Sequence, residues 1–463
     1  MNAITPARHD VRSPFTGVIV GSVAICGADE VDRACARASG ALAARDFPQH
    51  RRAAVLEAAV PLLRERGEAL AQTICAEAGK PITTARAEVD RCTETLTFAA
   101  AEARTLHAET IPYEASVHGA GRIGFGLRVP VGVVAAISPF NYPLNLVAHK
   151  LAPAIAAGCP VVLKPAPQTP LTALAFVALL VDAGLPEDWI TVVTDAGTEA
   201  GAALVAHDVP ALVTFTGSVD VGWRIAAAAP RKRVALELGS NAPLIVERDA
   251  DPLVAARAIA SAGFLFSGQN CISVQRVIVH RSLHAALLDA LIPEVERLRV
   301  GDPADDATEV GPLIAPAHAE RVRAWIDEAV DGGGRLLTGG ERVGEALLTP
   351  AVVDGVGAGA RLWRDEVFGP AVGVVAYDDF DEALALANDT TLRLQAGIFT
   401  EDLGRVMRAL RELDFGGVHV NQVPTFRVDL APYGGTADAG NTREGPRTAI
   451  REMTELRTVS LPA

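Results

Sequence analysis

The chain has 463 residues, of which 49% are hydrophobic and 21% charged, with a formal net charge of −14. These values describe a globular protein with core enough for two or three domains, and they exclude a disordered chain. The acidic balance argues against a nucleic-acid surface, and no apolar stretch is long and clean enough to span a bilayer.

In chain order, the β-branched stretch Gly17-Val18-Ile19-Val20-Gly21 predicts a strand. Alanine-rich segments with apolar residues at helical spacing predict helices over 30–45, 49–79 and 84–106, punctuated by Pro48 and by Gly79-Lys80-Pro81. From Pro130 the texture changes. Strands over 131–137, 160–164, 190–193 and 211–215 alternate with helices over 143–157, 171–183, 199–207 and 219–229. That alternation predicts right-handed βαβ units in a parallel sheet, which binds ligands at the carboxyl ends of its strands. A second block of the same kind begins at Arg233 and runs past Ala396. The six cysteines (Cys26, Cys35, Cys75, Cys92, Cys159, Cys271) show no C-x-x-C spacing. They read as reduced thiols of a cytoplasmic protein that has neither a signal segment nor a metal site.

One thiol is set for chemistry. Cys271 lies in Ser267-Gly268-Gln269-Asn270-Cys271-Ile272-Ser273, between small and amide residues and just before an apolar run. Upstream, Glu237 closes the hydrophobic strand Val234-Ala235-Leu236-Glu237, followed by Leu238 and Gly239. A carboxyl in such surroundings has a raised pKa, which suits a general base. Asn141, held between prolines in Ser138-Pro139-Phe140-Asn141-Tyr142-Pro143, could donate to an oxyanion. Lys164 stands where a strand stops, within reach of ribose hydroxyls or a phosphate. Gly217 and Ser218 sit at a strand-to-helix junction, where backbone N–H groups and the helix dipole favour a pyrophosphate. In isolation Ser218 reads rather as a helix N-cap and Asn141 as a turn residue.

The asparagine loop, Lys164-Pro165-Ala166, Phe215-Thr216-Gly217-Ser218, Leu236-Glu237-Leu238-Gly239, Gly268-Gln269-Asn270-Cys271 and Glu366-Val367-Phe368-Gly369-Pro370 follow one another in the order of the aldehyde dehydrogenase superfamily. The chain resembles that superfamily along nearly its whole length. The resemblance implies an α/β fold with two parallel-sheet, Rossmann-like domains and a small oligomerisation hairpin. Residues 1–110 and 130–236 would bind NAD(P), 237–440 would form the catalytic domain, and 111–129 with 441–463 would build the hairpin of a homodimer or homotetramer. Cys271 would be the nucleophile, Asn141 an oxyanion donor, and Glu237 the base that activates the hydrolytic water. Lys164, Gly217, Ser218, Gly239, Glu366 and Phe368 would hold the cofactor.

Some positions depart from the family's pattern. Pro167 stands where NAD-dependent members carry a ribose-chelating glutamate, so NADP use is open, and NAD is preferred only as the family's commoner cofactor. Arg393 replaces a usual glycine, and the stretch from Gly440 to Pro446 is altered. The subgroup resembled acts on lactaldehyde-type and phosphonate-bearing aldehydes. Arg91 and Arg427 match two of the arginines that bind phosphonate in the phosphonoacetaldehyde enzymes, while the third position is Asn270. The expected activity is oxidation of a small anionic aldehyde, phosphonate- or carboxylate-bearing, to its acid. The alternatives are a lactaldehyde or semialdehyde dehydrogenase preferring neutral substrates, a CoA-acylating enzyme, which Glu237 argues against, and a non-catalytic relative.

Overall fold

The computed structural model describes residues 7–107 and 109–463. The predicted strand lies at Ile19–Ala24, starting two residues later than the β-branched pattern, and pairs antiparallel with an earlier strand, Arg8–Arg12, which that pattern does not mark. Gly17 is spent on the turn between them, at φ 71°. The helical run predicted over 49–79 is two helices, Gln49–Glu65 and Gly67–Ala78. Arg66 breaks it with ψ 6°, and the glycine after it is a weak helix former. Gly79, left-handed at φ 67°, stops the second helix, as glycine commonly does at that position. Ala28–Ala44 packs on the first sheet, whereas Gln49–Glu65, Gly67–Ala78 and Ile82–Thr105 pack through small alanine-lined faces on one another and on the helices Asn145–Ala157 and Pro170–Asp182.

That sheet is five-stranded and parallel, in the order Ile190–Val192, Val161–Lys164, Val133–Ile137, Pro210–Thr216, Arg233–Glu237. Strands such as Val133–Ile137 are buried at every residue, as a sheet covered on both faces requires. The order reverses between Val133–Ile137 and Pro210–Thr216, so a crevice opens at the carboxyl ends of those strands. Glu237 is the last residue of the edge strand.

The second sheet has seven strands, ordered Arg335–Thr338, Ala351–Asp354, Ala371–Tyr377, Arg276–His280, Pro243–Val246, Gln395–Phe399, Gly417–Val420. Only Arg335–Thr338 pairs antiparallel. A third, antiparallel sheet joins Thr110–Ile111, Arg122–Pro130 and the C-terminal Thr454–Pro462. The helix Pro446–Glu452 just before that last strand packs instead on Ile82–Thr105 and Asn145–Ala157. Among the described residues no helix is long and apolar enough to cross a membrane.

Candidate active site

The segment that delivers Cys271 is wound the wrong way for L-residues. After the helix Pro252–Phe264, Phe266, Ser267 and Gly268 take φ values of 49°, 57° and 70°. Gly268 has no alternative, because a Cβ there would run into the Gly369 carbonyl. The turn is pinned from below. Ser267 Oγ donates to Gly311 O at 2.6 Å, and Gln269 Oε1 accepts from Ile314 N at 2.8 Å. Strain held this firmly belongs at a functional position.

Cys271 therefore points into a cleft, whereas Cys35, Cys75, Cys92 and Cys159 are buried in cores. Its Sγ lies 2.9 Å from Tyr433 Oη and 3.8 Å from Asn270 Oδ1. Burial pushes the thiol up to about 12, opposed by the Tyr433 hydrogen bond and the Arg427 charge and assisted by Glu366 and Glu237. Glu237 lines the same cleft. It is buried, neither carboxylate oxygen has a partner, and burial followed by the charge of Glu444 raises it well above the usual range. Gly434 makes room for it, since a Cβ there would come within 2.7 Å of Glu237 Oε1. Asn141 lies in the loop after Val133–Ile137, its Nδ2 donating to Gln269 O at 3.0 Å, two residues before the thiol.

Two glutamates of the helical layer fix the loops on which these groups depend, and no local pattern marks them. Glu88 Oε1 accepts from Leu144 N at 2.9 Å and Asn145 N at 3.0 Å, closing the start of the helix behind Asn141. Its other oxygen pairs with Lys80, whose ammonium sits 3.6 Å from the Tyr142 ring centroid and 4.7 Å from that of Phe266. Glu77 likewise accepts from Leu171 N and Thr172 N at 2.8 and 2.9 Å, at the start of the helix after Lys164.

Arg91 and Arg427 both line the Cys271 cleft, and both already have carboxylate partners. Arg91 binds Asp429 through two hydrogen bonds of 2.8 and 3.0 Å. Arg427 reaches Glu444 at 3.1 Å and stacks over Tyr433, 3.8 Å from the ring centroid. Asn270 places no charge beside them; its amide donates to Tyr142 Oη. Lys150, not foreseen, completes the buried charge cluster 3.6 Å from Glu444.

On the other side of Cys271 a second pocket is lined by Ser240, Glu366 and Phe368. Glu366 Oε1 accepts from Ser240 N at 3.0 Å, and burial pushes the carboxyl up to about 7. Gly239 is needed beside it, because a Cβ there would overlap the Glu366 carboxylate. Phe368 takes φ 45°, and its ring meets Phe140 edge-on at 5.9 Å. Ser218 is the N-cap residue of Val219–Ala228, but its hydroxyl makes no capping bond, so the first-turn N–H groups face outward uncapped. Gly217 packs its bare Cα on the Phe215 ring. Lys164 closes its strand and pairs with Asp195 at 2.9 Å, a carboxylate at the end of the neighbouring strand that sequence reasoning passed over. An uncapped helix start, a cation and an acid at adjacent strand ends, and glycines at the closest approaches fit a dinucleotide.

The model of the aldehyde dehydrogenase family matches residues 3–459. This chain belongs to the aldehyde dehydrogenase family. A 3-sulfolactaldehyde dehydrogenase of Priestia aryabhattai is 43% identical over 457 residues, covering 99% of this chain and 95% of that one. A lactaldehyde dehydrogenase of Methanococcus vannielii is 37% identical over 455 residues, covering 97% and 96%. Among solved structures, aldehyde dehydrogenase 21 of Physcomitrella patens, in complex with the reaction product succinate, matches with a TM-score of 0.95 at 38% identity, covering 99% of this chain and 96% of that one. Glyceraldehyde-3-phosphate dehydrogenase of Methanocaldococcus jannaschii, complexed with NADP, has a TM-score of 0.95 at 34% identity, with full coverage of both chains (100%). The protein is an aldehyde dehydrogenase with the family's two-sheet fold, and its cofactor is NAD or NADP.

Proposed function

We propose that this dehydrogenase oxidises a small aldehyde bearing one negative charge, a sulfonate or a carboxylate, to the corresponding acid. The observation that carries this reading is the charge balance beside Cys271. Arg91, Arg427 and Lys150 face Asp429 and Glu444, both held below the usual carboxylate range, while burial raises Glu237 well above it. One cation is left in excess over those two carboxylates, which suits a monoanion better than a doubly charged phosphonate, and Asn270 supplies no further charge. The substrates or product for which three relatives are named, sulfolactaldehyde, succinate and glyceraldehyde 3-phosphate, are likewise anionic.

In this reading Glu237 takes the Cys271 proton, and the thiolate attacks the aldehyde carbon to give a thiohemiacetal. The new oxyanion faces the Asn141 amide and the Cys271 backbone N–H. When bound, the nicotinamide supplies the hydride acceptor that leaves a thioester on Sγ. Glu237 then activates the water that hydrolyses it. Lys164, Gly217, Ser218, Gly239, Glu366 and Phe368 would hold the cofactor, and Asp195, beside Lys164, would repel a 2′-phosphate and so favour NAD. The antiparallel three-stranded sheet would join subunits into a homo-oligomer.

A second reading, a neutral substrate such as lactaldehyde, is favoured by the two-bond saturation of Arg91 by Asp429. Steady-state oxidation of 3-sulfolactaldehyde, succinate semialdehyde, lactaldehyde and propanal, with NAD and NADP in parallel, separates the two. We expect kcat/KM about a hundredfold higher for the anionic aldehydes, the scale of one charge-assisted contact. Equal values for propanal would overturn the anionic reading.

A further inference from the structure

The tyrosine that touches the nucleophile has no part in the chemistry described so far. Tyr433 is 4% exposed, and its position is fixed from three sides. Its backbone pairs with that of Glu444 in both directions, N to O at 2.9 Å and O to N at 2.6 Å. Arg427 lies on one ring face. The edge packs with Ile272, Leu394 and Ala439 around Cys271. Held in this way, the hydroxyl has its hydrogen bond to Sγ, at 2.9 Å. The other polar neighbour of the sulfur, Asn270 Oδ1, can only accept, so it favours the thiol over the thiolate.

We propose that Tyr433 is a catalytic residue that holds Cys271 in its reactive form by donating its hydroxyl hydrogen to the thiolate sulfur. The proposal rests on the reading of Cys271 as the nucleophile. The proton balance is simple. The S–H proton passes to the Glu237 carboxylate, which becomes the neutral acid, and Tyr433 keeps its own proton throughout. As the S–C bond to the aldehyde forms, negative charge leaves the sulfur for the carbonyl oxygen, and the tyrosine hydrogen bond weakens. The hydroxyl therefore enlarges the thiolate population at some cost to its intrinsic nucleophilicity, with a net gain of about half the shift on a logarithmic scale.

The other groups that act on the sulfur are Glu366 and Glu237, which disfavour the thiolate, and Arg427, which favours it. Tyr142 lies across the same cleft. Burial keeps the Tyr433 hydroxyl well above its ordinary range, so the sulfur, not the oxygen, gives up its proton. Tyr433→Phe removes one oxygen and leaves every one of these charges in place.

The test is alkylation of Cys271 by iodoacetamide in the full-length, cofactor-free enzyme between pH 7 and 9, read by mass spectrometry of the Cys271 peptide. One hydrogen bond to an ion shifts acidity by about one pH unit or more, so Tyr433→Phe is expected to alkylate about three- to tenfold more slowly at every pH. NADH binding, followed by fluorescence, should be unchanged. Alkylation at the wild-type rate or faster, with NADH binding intact, overturns the proposal. If the phenylalanine variant does not fold, replacing all 4 tyrosines by the more acidic 3-fluorotyrosine supplies the opposite sign. Alkylation should then accelerate, and an unchanged rate overturns the proposal. Cys271→Ser separates the two readings. If it retains dehydrogenase activity, the nucleophile assignment falls. If it is inactive while Tyr433→Phe alkylates normally, only the role of the hydroxyl falls.

Discussion

At Cys271, burial works against the charge that the proposed chemistry requires. The thiol is pushed up to about 12, and the nearby Glu237 carboxyl is raised well above its usual range by the same burial. A base that is protonated at low pH gains activity as pH rises. Hydrolysis of the thioester should accompany that rise and level off above the elevated pKa of Glu237. Glu237→Gln, of the same shape but unable to take a proton, should slow both the attack of Cys271 and the hydrolysis. Rapid mixing should show no fast burst of reduced cofactor, and turnover should fall about 10²–10⁴-fold. A full burst followed by slow turnover would remove Glu237 from the thiol step, and wild-type turnover would remove it from both. Cys271, Glu237 and Asn141 could be picked out in the sequence because each sits at the end of an apolar strand or beside glycine and proline, where side chains are aimed at ligands. Tyr433 could not, because its contact with Cys271 spans 162 residues and a lone tyrosine carries no pattern.

Among the elements, the loops are set by helices whose ends are closed from a distance. Glu88 closes the helix behind Asn141 and Glu77 the one behind Lys164, across 56 and 94 residues respectively. The βαβ alternation predicted both of those helices, but nothing in a 20-residue window points to the glutamates. Arg91 is similar. The helix that carries it was legible from its periodicity, while its partner Asp429 lies 338 residues away. Glu88 also balances Lys80, and both side chains are 0% exposed. Glu88→Ala would orphan two N–H groups and strand a buried ammonium, a loss of about 3–5 kcal/mol. Chemical denaturation should show it as a lower midpoint, together with reduced kcat as the Asn141 loop loosens. A midpoint within the error of wild type would mean that the pair stabilises nothing beyond what water could replace.

In the whole molecule, the C-terminus returns to the middle of the chain. The strand Thr454–Pro462 pairs residue by residue with Arg122–Pro130, Leu461 opposite Ile123 and Val459 opposite Phe125. Residues paired in this way share a face, and that face also carries Leu127 and Val129, opposite Arg457 and Glu455. On the opposite face the Tyr113 ring lies over Gly124 and the Leu456 side chain over Gly126, each closer than a Cβ would allow. The apolar face is not covered: Ile123, Leu127 and Leu461 are 55%, 41% and 48% exposed. A contiguous apolar face of this kind is unfavourable in water, and a second copy of the same sheet, related by a twofold axis, is the occupant that fits it. Sedimentation velocity should then find wild-type protein as a dimer or tetramer of the 48.3 kDa chain. Leu127→Glu places a charge at the centre of the face without touching either large sheet. It should shift the protein towards monomer, whereas Arg122→Glu, at the strand end and on the other face, should not. Monomeric wild type at micromolar concentration would show that the face is tolerated exposed, and that the C-terminal strand serves the fold of one subunit alone.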